Sequence, residues 1–275
     1  MRQFKIRNSL GQEIGLQDKQ GYAFFDEEGL GFDIDASFQR IGDQFRLIEK
    51  GISQPQVSGN LVINGYDAYA KYTAFVAFCS YTPLVLIYEA DQTLYLEGMV
   101  ISLQKGDMIN RRTLVCPMVF VGTSYWYDDV LAEEAAGSLP DSTKMYTYTY
   151  PYQYASGENG TVELVNGALN SYFKITIFGP ATNPKWQLYS GGVLTNSGKI
   201  LATIPEGNKL IVNSDPLEME ITEYTNSGTF VVDRYPDSDF TTERIFSIPP
   251  GTCKMLFSDD SVTAPVAWIE VKKRV

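Results

Sequence analysis

The side chains in this chain whose spacing could support chemistry are carboxylates. They fall in local clusters: Asp26-Glu27-Glu28, Asp128-Asp129, Glu133-Glu134, Asp237 with Asp239, and Asp259-Asp260. Two carboxylates flanking a scissile bond suffice for glycoside hydrolysis when apolar neighbours hold one of them protonated. Each cluster here reads as a turn or linker, where solvated acids are expected. Asp237-Ser238-Asp239 and Asp259-Asp260 also offer oxygen ligands to calcium. Neither sits in a full ligand loop, with acids at alternate positions and a distant Glu. Gly29-Leu30-Gly31 is glycine-rich but opens a strand and not a helix, so it forms no phosphate cradle.

The sequence contains no histidine. That excludes Ser-His-Asp and Cys-His nucleophiles and every His-ligated zinc or iron site. Proton transfer would fall to carboxylates, Lys, Tyr or Cys. The three cysteines, Cys79, Cys116 and Cys253, lie far apart, so no Cys-x-x-Cys knuckle exists. Apolar surroundings mark Cys79 and Cys116 as buried, inert thiols. These exclusions point to a protein that is not an enzyme and carries no cofactor and no metal.

Aromatic side chains offer a different chemistry. Tyr146, Tyr148, Tyr150, Tyr152 and Tyr154 occupy every second position of the run from Met145 to Tyr154. An extended strand would put all five on one face. That is either a half-buried strand or an aromatic platform for a partner. Pro151 interrupts the run, and Pro is tolerated at edges and bends. The inner part is therefore expected to pair within a sheet. Tyr152 and Tyr154 are expected, with Trp126 and Tyr127, at an interface between domains or at a docking surface. Trp186, Trp268 and the tyrosine run could also stack on sugar rings, which makes carbohydrate binding the alternative reading.

Composition bounds the rest. The 275 residues suffice for two domains, and 18 Tyr with 15 Phe favour strands. Net charge is −11, with 11 basic and 16 acidic residues over 1–130 and 11 and 17 over 131–275. Both halves are acidic, so no basic face is available for specific nucleic-acid binding. The first residues lack the apolar core of a signal peptide, and no apolar run is long enough to span a membrane. No membrane partner is expected, and the cysteine usage points to synthesis in a reducing cytoplasm.

Most of the positioning elements read as strands. Residues 4–7 alternate, and Asn8-Ser9-Leu10-Gly11 turns the chain towards 13–16. Asp26-Glu27-Glu28-Gly29 reads as a turn. Phe32, Ile34, Ala36 and Phe38 then alternate with polar partners as a half-buried strand. Strands follow at 44–52, 57–63, 84–88, 94–103 and 113–122. Residues 66–79 form the helix, with Tyr69, Tyr72, Phe75/Val76 and Cys79 as its core stripe and Pro83 beyond its end. The acidic stretch from Asp128 to Pro140 reads as a linker, with the boundary near residue 135. Domains 1–134 and 135–275 result. Short strands closely spaced between Gly, Asn and Pro turns make the second a β-sandwich or jelly roll. Its expected strands are 146–150, 161–165, 173–178, 186–189, 199–203, 209–212, 218–224, 230–232, 244–248, 253–257 and 266–271.

Several features in order resemble distal tail proteins of long-tailed bacteriophages. They are Phe4 with Asn8-Ser9-Leu10-Gly11, Gly29-Leu30-Gly31 opening a strand, Gly42 before Phe45, and Trp126-Tyr127 after the last strand of the first domain. The similarity continues through the tyrosine run, Asn166-Gly167, Gly179, Asn183-Pro184-Lys185-Trp186 and Ile248-Pro249-Pro250-Gly251. It spans nearly the whole chain, and order and spacing carry it. The resemblance implies a mainly β protein with an N-terminal β-barrel-like domain holding one helix and a C-terminal galectin-like β-sandwich. It implies a structural virion component at the tail tip, a homo-hexameric ring joining the tail tube protein to the hub or tail-associated lysin protein. The receptor-binding protein is a further implied partner. Strand contacts between copies are expected from 4–7, 32–38, 44–52 and 94–103. A channel that passes DNA should be acidic or polar, and strand parity nominates Asp33, Asp35, Asp43 and Glu49 as its lining.

One departure qualifies the second domain. Galectins bind galactosides through a His-Asn-Arg set and a Trp-x-x-Glu-x-Arg stretch. This chain has no His, and Gln187-Leu188-Tyr189-Ser190 follows Trp186. A galectin-like shape would thus lack the galactoside site, and a docking role is the expectation for that domain.

Overall fold

The computed structural model describes residues 2–18, 21–31, 33–135, 160–260 and 265–274. The tyrosine run, with Tyr152 and Tyr154, lies outside the described residues, and so does Phe32. The chain divides into two compact units, Met1–Asp129 and Val130–Val275.

The first unit contains β1 (Gln3–Arg7), β2 (Glu13–Gly15), β3 (Tyr22–Glu28), β4 (Ile34–Ile41), β5 (Gln44–Ile52), β6 (Gln56–Asn64) and α1 (Ala68–Cys79). After the helix come β7 (Leu84–Glu89), β8 (Thr93–Leu103), β9 (Met108–Ile109), β10 (Thr113–Gly122) and β11 (Tyr127–Ala135), the last running past the unit boundary. The main sheet is antiparallel in the order β2-β1-β7-β8-β10-β6-β3. Its two ends meet at Leu16. The Leu16 N–H donates to Phe4 O at 2.8 Å, and Leu16 O accepts from Phe24 N at 2.8 Å. The sheet therefore curls back on itself as the barrel-like expectation requires. The first turn forms because Asn8 Oδ1 accepts from the N–H groups of Leu10 (3.1 Å) and Gln12 (3.0 Å), while Gly11 takes a φ of 77°.

Inside the curl lie Phe4, Phe24, Leu61, Leu96, Phe120 and α1, whose buried side chains are Ala68, Phe75 and Phe78. This corrects the expected helix stripe. Tyr72 and Cys79 pack against the core as predicted, but Phe78 replaces Val76, and Tyr69 and Val76 face solvent. The helix is apolar around most of its circumference, so periodicity alone did not select the buried face. Two further segments differ from the sequence reading. Asp26-Glu27-Glu28 is part of β3, with a register shift between Phe25 and Glu28 and a φ of 53° at Asp26. Residues expected in the linker form β11.

The second unit holds β12 (Thr161–Asn166), β13 (Phe173–Phe178), β14 (Ala181–Thr182), β15 (Lys185–Ser190), β16 (Val193–Lys199), β17 (Thr203–Ile204), β18 (Asn208–Asn213), β19 (Glu220–Thr225), β20 (Phe230–Asp233), β21 (Gly251–Ser258) and β22 (Ala267–Arg274). One layer runs β22-β13-β18-β19-β20 and the other β12-β21-β15-β16, with β14 and β17 paired separately. Alternate residues of both layers, among them Ile175, Val212, Ile269, Leu164, Leu188 and Met255, share one core, which makes this unit a β-sandwich. Residues 199–203 do not form the expected strand. Residues 193–199 pair with β15 instead, and Arg244–Ile248 contributes only an isolated bridge from Ile248 to Ser171.

Trp186 is fully buried at the centre of this core and donates from Nε1 to Arg244 O at 3.2 Å. Gly198 lies directly opposite, and a Cβ there would sit 2.4 Å from the indole. The glycine makes room for the ring. Asn166 ties distant loops together. Its Nδ2 donates to Ile248 O at 2.8 Å and Pro249 O at 3.0 Å, and its Oδ1 accepts from Ser171 Oγ at 2.6 Å.

Glu223 is a buried carboxylate, 1% exposed, that accepts from Arg234 Nε at 2.8 Å and Nη2 at 2.6 Å and from Asn208 Nδ2. Removing one partner of such a pair leaves an uncompensated buried charge. Glu223→Ala should therefore cost the second unit about 3–5 kcal/mol, read as a lower urea midpoint, and Glu223→Gln should cost less because it can still accept a hydrogen bond. Burial pushes the Cys79 thiol up to about 12. The folded chain then holds that proton where the unfolded chain has lost it, so this contribution falls away as pH rises from 9 towards 12. In urea titrations the stability gap between wild type and Cys79→Ala should narrow across that window.

Candidate assembly surface

Strands β4 and β5 form a separate two-stranded sheet that pairs with no other strand among the described residues. The pairing runs from Ile34 opposite Ile52 to Ile41 opposite Gln44. The connecting Gly42-Asp43 turn has a positive φ of 66° at Gly42 alone, as a type II′ turn requires. This corrects the half-buried reading of residues 34–38. The alternation is real, but the apolar side faces solvent: Phe38 is 61% exposed and Phe45 70%.

The register divides the hairpin into two chemically distinct faces. Ile34 with Ile52, Ala36 with Lys50, Phe38 with Leu47 and Arg40 with Phe45 share one side. Asp35 with Gly51, Ser37 with Glu49, Gln39 with Arg46 and Ile41 with Gln44 share the other, which is polar apart from the exposed Ile41 next to the turn. A register shift between Ser37 and Phe38 leaves Ile48 as the extra residue, also exposed. Of the four acids nominated from the sequence, Asp35 and Glu49 lie together on the polar face. Asp33 precedes β4 in the same parity, and Asp43 sits in the turn at the tip. All four side chains are exposed.

The base of the hairpin is held firmly. Ser53 N donates to Asp33 O at 3.1 Å, and Gly122 N donates to Pro55 O at 2.8 Å. Gln54 Nε2 donates to Gly122 O at 2.8 Å, and Tyr125 OH donates to Ile52 O at 3.3 Å. Gly29 takes a φ of 85°, and a Cβ there would lie 1.9 Å from Gln56 O. The strand β3 can approach the start of β6 this closely only with glycine at that position.

The remaining predicted residues sit elsewhere. Trp126 is buried against the first unit's core with its ring 6.3 Å from Tyr88. Tyr127 stacks on Tyr95 at 5.6 Å and donates from its hydroxyl to Glu97 Oε1 at 3.0 Å. Burial, followed by the nearby Glu97 carboxylate, raises the Tyr127 phenol well above its ordinary range. Both residues already have partners within the first unit. Trp268 is about half exposed and meets Phe178 edge-on, whereas the burial of Trp186 removes it from any sugar-stacking surface. A groove of about 580 Å³ on the outer face of the β12-β21-β15-β16 layer is lined by Glu163, Tyr189, Lys254 and Leu256.

The two acidic clusters of the second unit, Asp237 with Asp239 and Asp259-Asp260, lie outside the strands and brace loops. Asp239 Oδ1 accepts from Thr241 N at 2.9 Å and Thr241 Oγ1 at 2.6 Å, and these bonds keep its carboxyl below the usual range. Asp260 Oδ2 accepts from Asn183 Nδ2 at 2.8 Å and pairs with Lys199 at 3.3 Å. Asp237 pairs with Arg234 at 2.8 Å. Among the described residues no group of three or more His, Cys, Asp or Glu side chains converges on a metal-sized site.

Comparison with known proteins agrees with this architecture. Residues 3–123 match the family model described as the distal tail protein, N-terminal domain. No curated protein sequence matches the chain. Among solved structures, 99% of the chain superposes on 99% of the Dit (gp 19.1) protein of phage SPP1, with 12% identity and a TM-score of 0.68. That protein is described as a paradigm of the hub adsorption apparatus in Gram-positive infecting phages. The whole chain also superposes on 99% of a chain in the phage P2 baseplate in its activated conformation with Ca, with 17% identity and a TM-score of 0.63. The Sr-bound form of that baseplate gives the same values. At these identities the likeness is one of fold.

The base geometry makes Gly29 a critical position for the hairpin. Gly29→Ala forces a side chain onto a backbone carbonyl at a positive φ, at a cost of about 2 kcal/mol or more. The expected result is a thermal midpoint several degrees lower, with faster amide exchange at Ser53 and Gly122. Unchanged exchange at both would show that the base does not depend on this contact.

Proposed function

We propose, for a chain whose residues 3–123 belong to the distal tail protein N-terminal domain family, that its first unit builds a homo-hexameric ring at the tip of a phage tail. The chain is a phage distal tail structural protein, and the ring reading adds how it works. The single observation that carries it is the β4–β5 hairpin: anchored at its base, paired with no other strand among the described residues, and mainly apolar on one exposed face, where Arg40 and Lys50 flank Phe38, Phe45 and Leu47. A two-stranded hairpin is marginal alone in water and gains stability by burying such a face. Free strand edges are likewise hazards that oligomers remove by covering them.

In this reading the ring joins the tail tube to the hub or tail-associated lysin protein. The polar face of the hairpin, with Asp33, Asp35, Asp43 and Glu49, lines the channel. Carboxylates there repel the phosphates of passing DNA and keep it from sticking. The second unit serves as a docking sandwich for the receptor-binding apparatus. No catalytic step is assigned to either unit, and the carbohydrate-binding alternative loses Trp186 as a stacking residue and keeps the half-exposed Trp268.

Light scattering and electron microscopy of concentrated protein test the ring. Phe38→Asp with Phe45→Asp should abolish assembly while leaving the circular dichroism spectrum unchanged, because neither ring is in the core. The lining is tested separately. Asp35→Lys with Glu49→Lys should still form rings, and these should retain duplex DNA that wild-type rings release at the same salt. Rings that ignore DNA after this reversal would remove the acids from the channel.

A further inference from the structure

A second uncovered apolar surface lies on the same unit. In β10 the buried Cys116, Met118 and Phe120 alternate with Pro117, Val119 and Val121 on the opposite, outer face of the sheet. Register aligns Met99 of β8 with Val121, and Phe25 of β3 with Asn60 of β6, which in turn faces Pro117. Ile101 falls at the register shift of β8 and is 59% exposed. An antiparallel sheet with one solvated face ordinarily presents polar residues there. This one presents Met, Ile, Val, Pro and Phe.

The two surfaces are complementary in charge as well as in apolar character. Lys50 lies on the apolar face of the hairpin, opposite Ala36. Glu28 lies on the outer sheet face at its β3 border, opposite Ser58, in the cross-strand row that contains Val119. Both side chains are exposed. The hairpin does not fold back onto its own sheet, since Phe38 and Phe45 remain open. Two different surfaces on one molecule define a head-to-tail contact, which propagates from copy to copy and closes if the rotation allows.

We propose that the apolar face of the β4–β5 hairpin of one copy lies on the outer face of the β8-β10-β6-β3 sheet of the next copy, with Lys50 meeting Glu28. This rests on the ring reading and names the surface that receives the hairpin. Phe38 and Phe45 then cover Met99, Ile101 and Val121, and the polar face of the hairpin is left pointing away from the contact.

Thiol cross-linking of concentrated full-length chain tests it. The native cysteines interfere little: Cys116 and Cys253 are buried, and burial keeps the Cys79 thiol protonated. The double variant Phe38→Cys/Met99→Cys, treated with a short bis-maleimide, should give a ladder of covalent oligomers rising to the closed ring. Each single variant should give no ladder. Lys50→Glu should raise the concentration needed for assembly about tenfold, and Lys50→Glu/Glu28→Lys should restore it. An assembled wild type whose double-cysteine variant yields no ladder, or whose charge reversal is not rescued, overturns this contact and leaves the ring intact. A wild type that stays monomeric at every concentration overturns the ring and this contact together.

Discussion

A two-stranded hairpin in water loses more backbone entropy on ordering than its cross-strand bonds return, unless one face is buried. In this chain β4 and β5 form such a hairpin, and the fold around them is arranged to hold it out from the body. Gly29 lets β3 close on Gln56, the Asp33 carbonyl takes the Ser53 N–H, and Tyr125 and Gln54 fasten the other side. Beyond that base nothing in the first unit covers Phe38 or Phe45 among the described residues. The first unit is therefore complete as a core and incomplete as a surface. An exposed apolar patch of this kind is what an interaction surface presents.

The second unit shows the opposite economy. Its distant loops are tied by single side chains. Asn166 reaches Ile248 and Pro249, Ser171 extends the link to the Arg274 N–H at 3.1 Å, and a Cβ on Gly167 would strike Arg274 O at 1.9 Å. Glu223 with Arg234 locks β19 to the loop after β20. Networks of this kind hold a sandwich in one arrangement, which suits a domain that presents a fixed outer surface rather than one that closes on a ligand.

Strand existence was legible in the residues where alternation met a turn with its own chemistry, as at Asn8-Gly11. Pairing partners were not, because parity states which residues share a face and not what covers it. That is why residues 34–38 read as half-buried when their apolar side is open. The helix face was lost for the converse reason: with apolar residues almost all round, only packing into the first unit's core, where Phe78 stacks on Phe75, selects Phe78 over Val76. Asp26-Glu27-Glu28 looked like a turn since a bulge permits three acids within a strand. Motifs such as Asn166-Gly167 and Ile248-Pro249 could be seen in the sequence as separate signatures. Their meeting across 82 residues could not, as no local pattern encodes a side chain that bonds to a remote backbone. For the assembly surface, parity placed Asp35 and Glu49 on one side, and the register agrees. The apolar side was missed, for it was assigned to the core.

The distribution of charge gives the last constraint on how such a surface can work. At −11 per chain, copies repel one another at long range, and screening confines that repulsion to about 10 Å at ordinary ionic strength. A contact between copies must then be short-ranged and apolar at its centre, with opposite charges only where they meet locally. The hairpin meets this condition on one face, with Phe38, Phe45 and Leu47 flanked by Arg40 and Lys50, while Asp35 and Glu49 are held on the other. A contact made through the other face would set Asp35 and Glu49 against an acidic neighbour. The same strand parity that gathers Phe38, Phe45 and Leu47 on one face thus keeps Asp35 and Glu49 on the other, and a shift of one residue in register would mix the two sets.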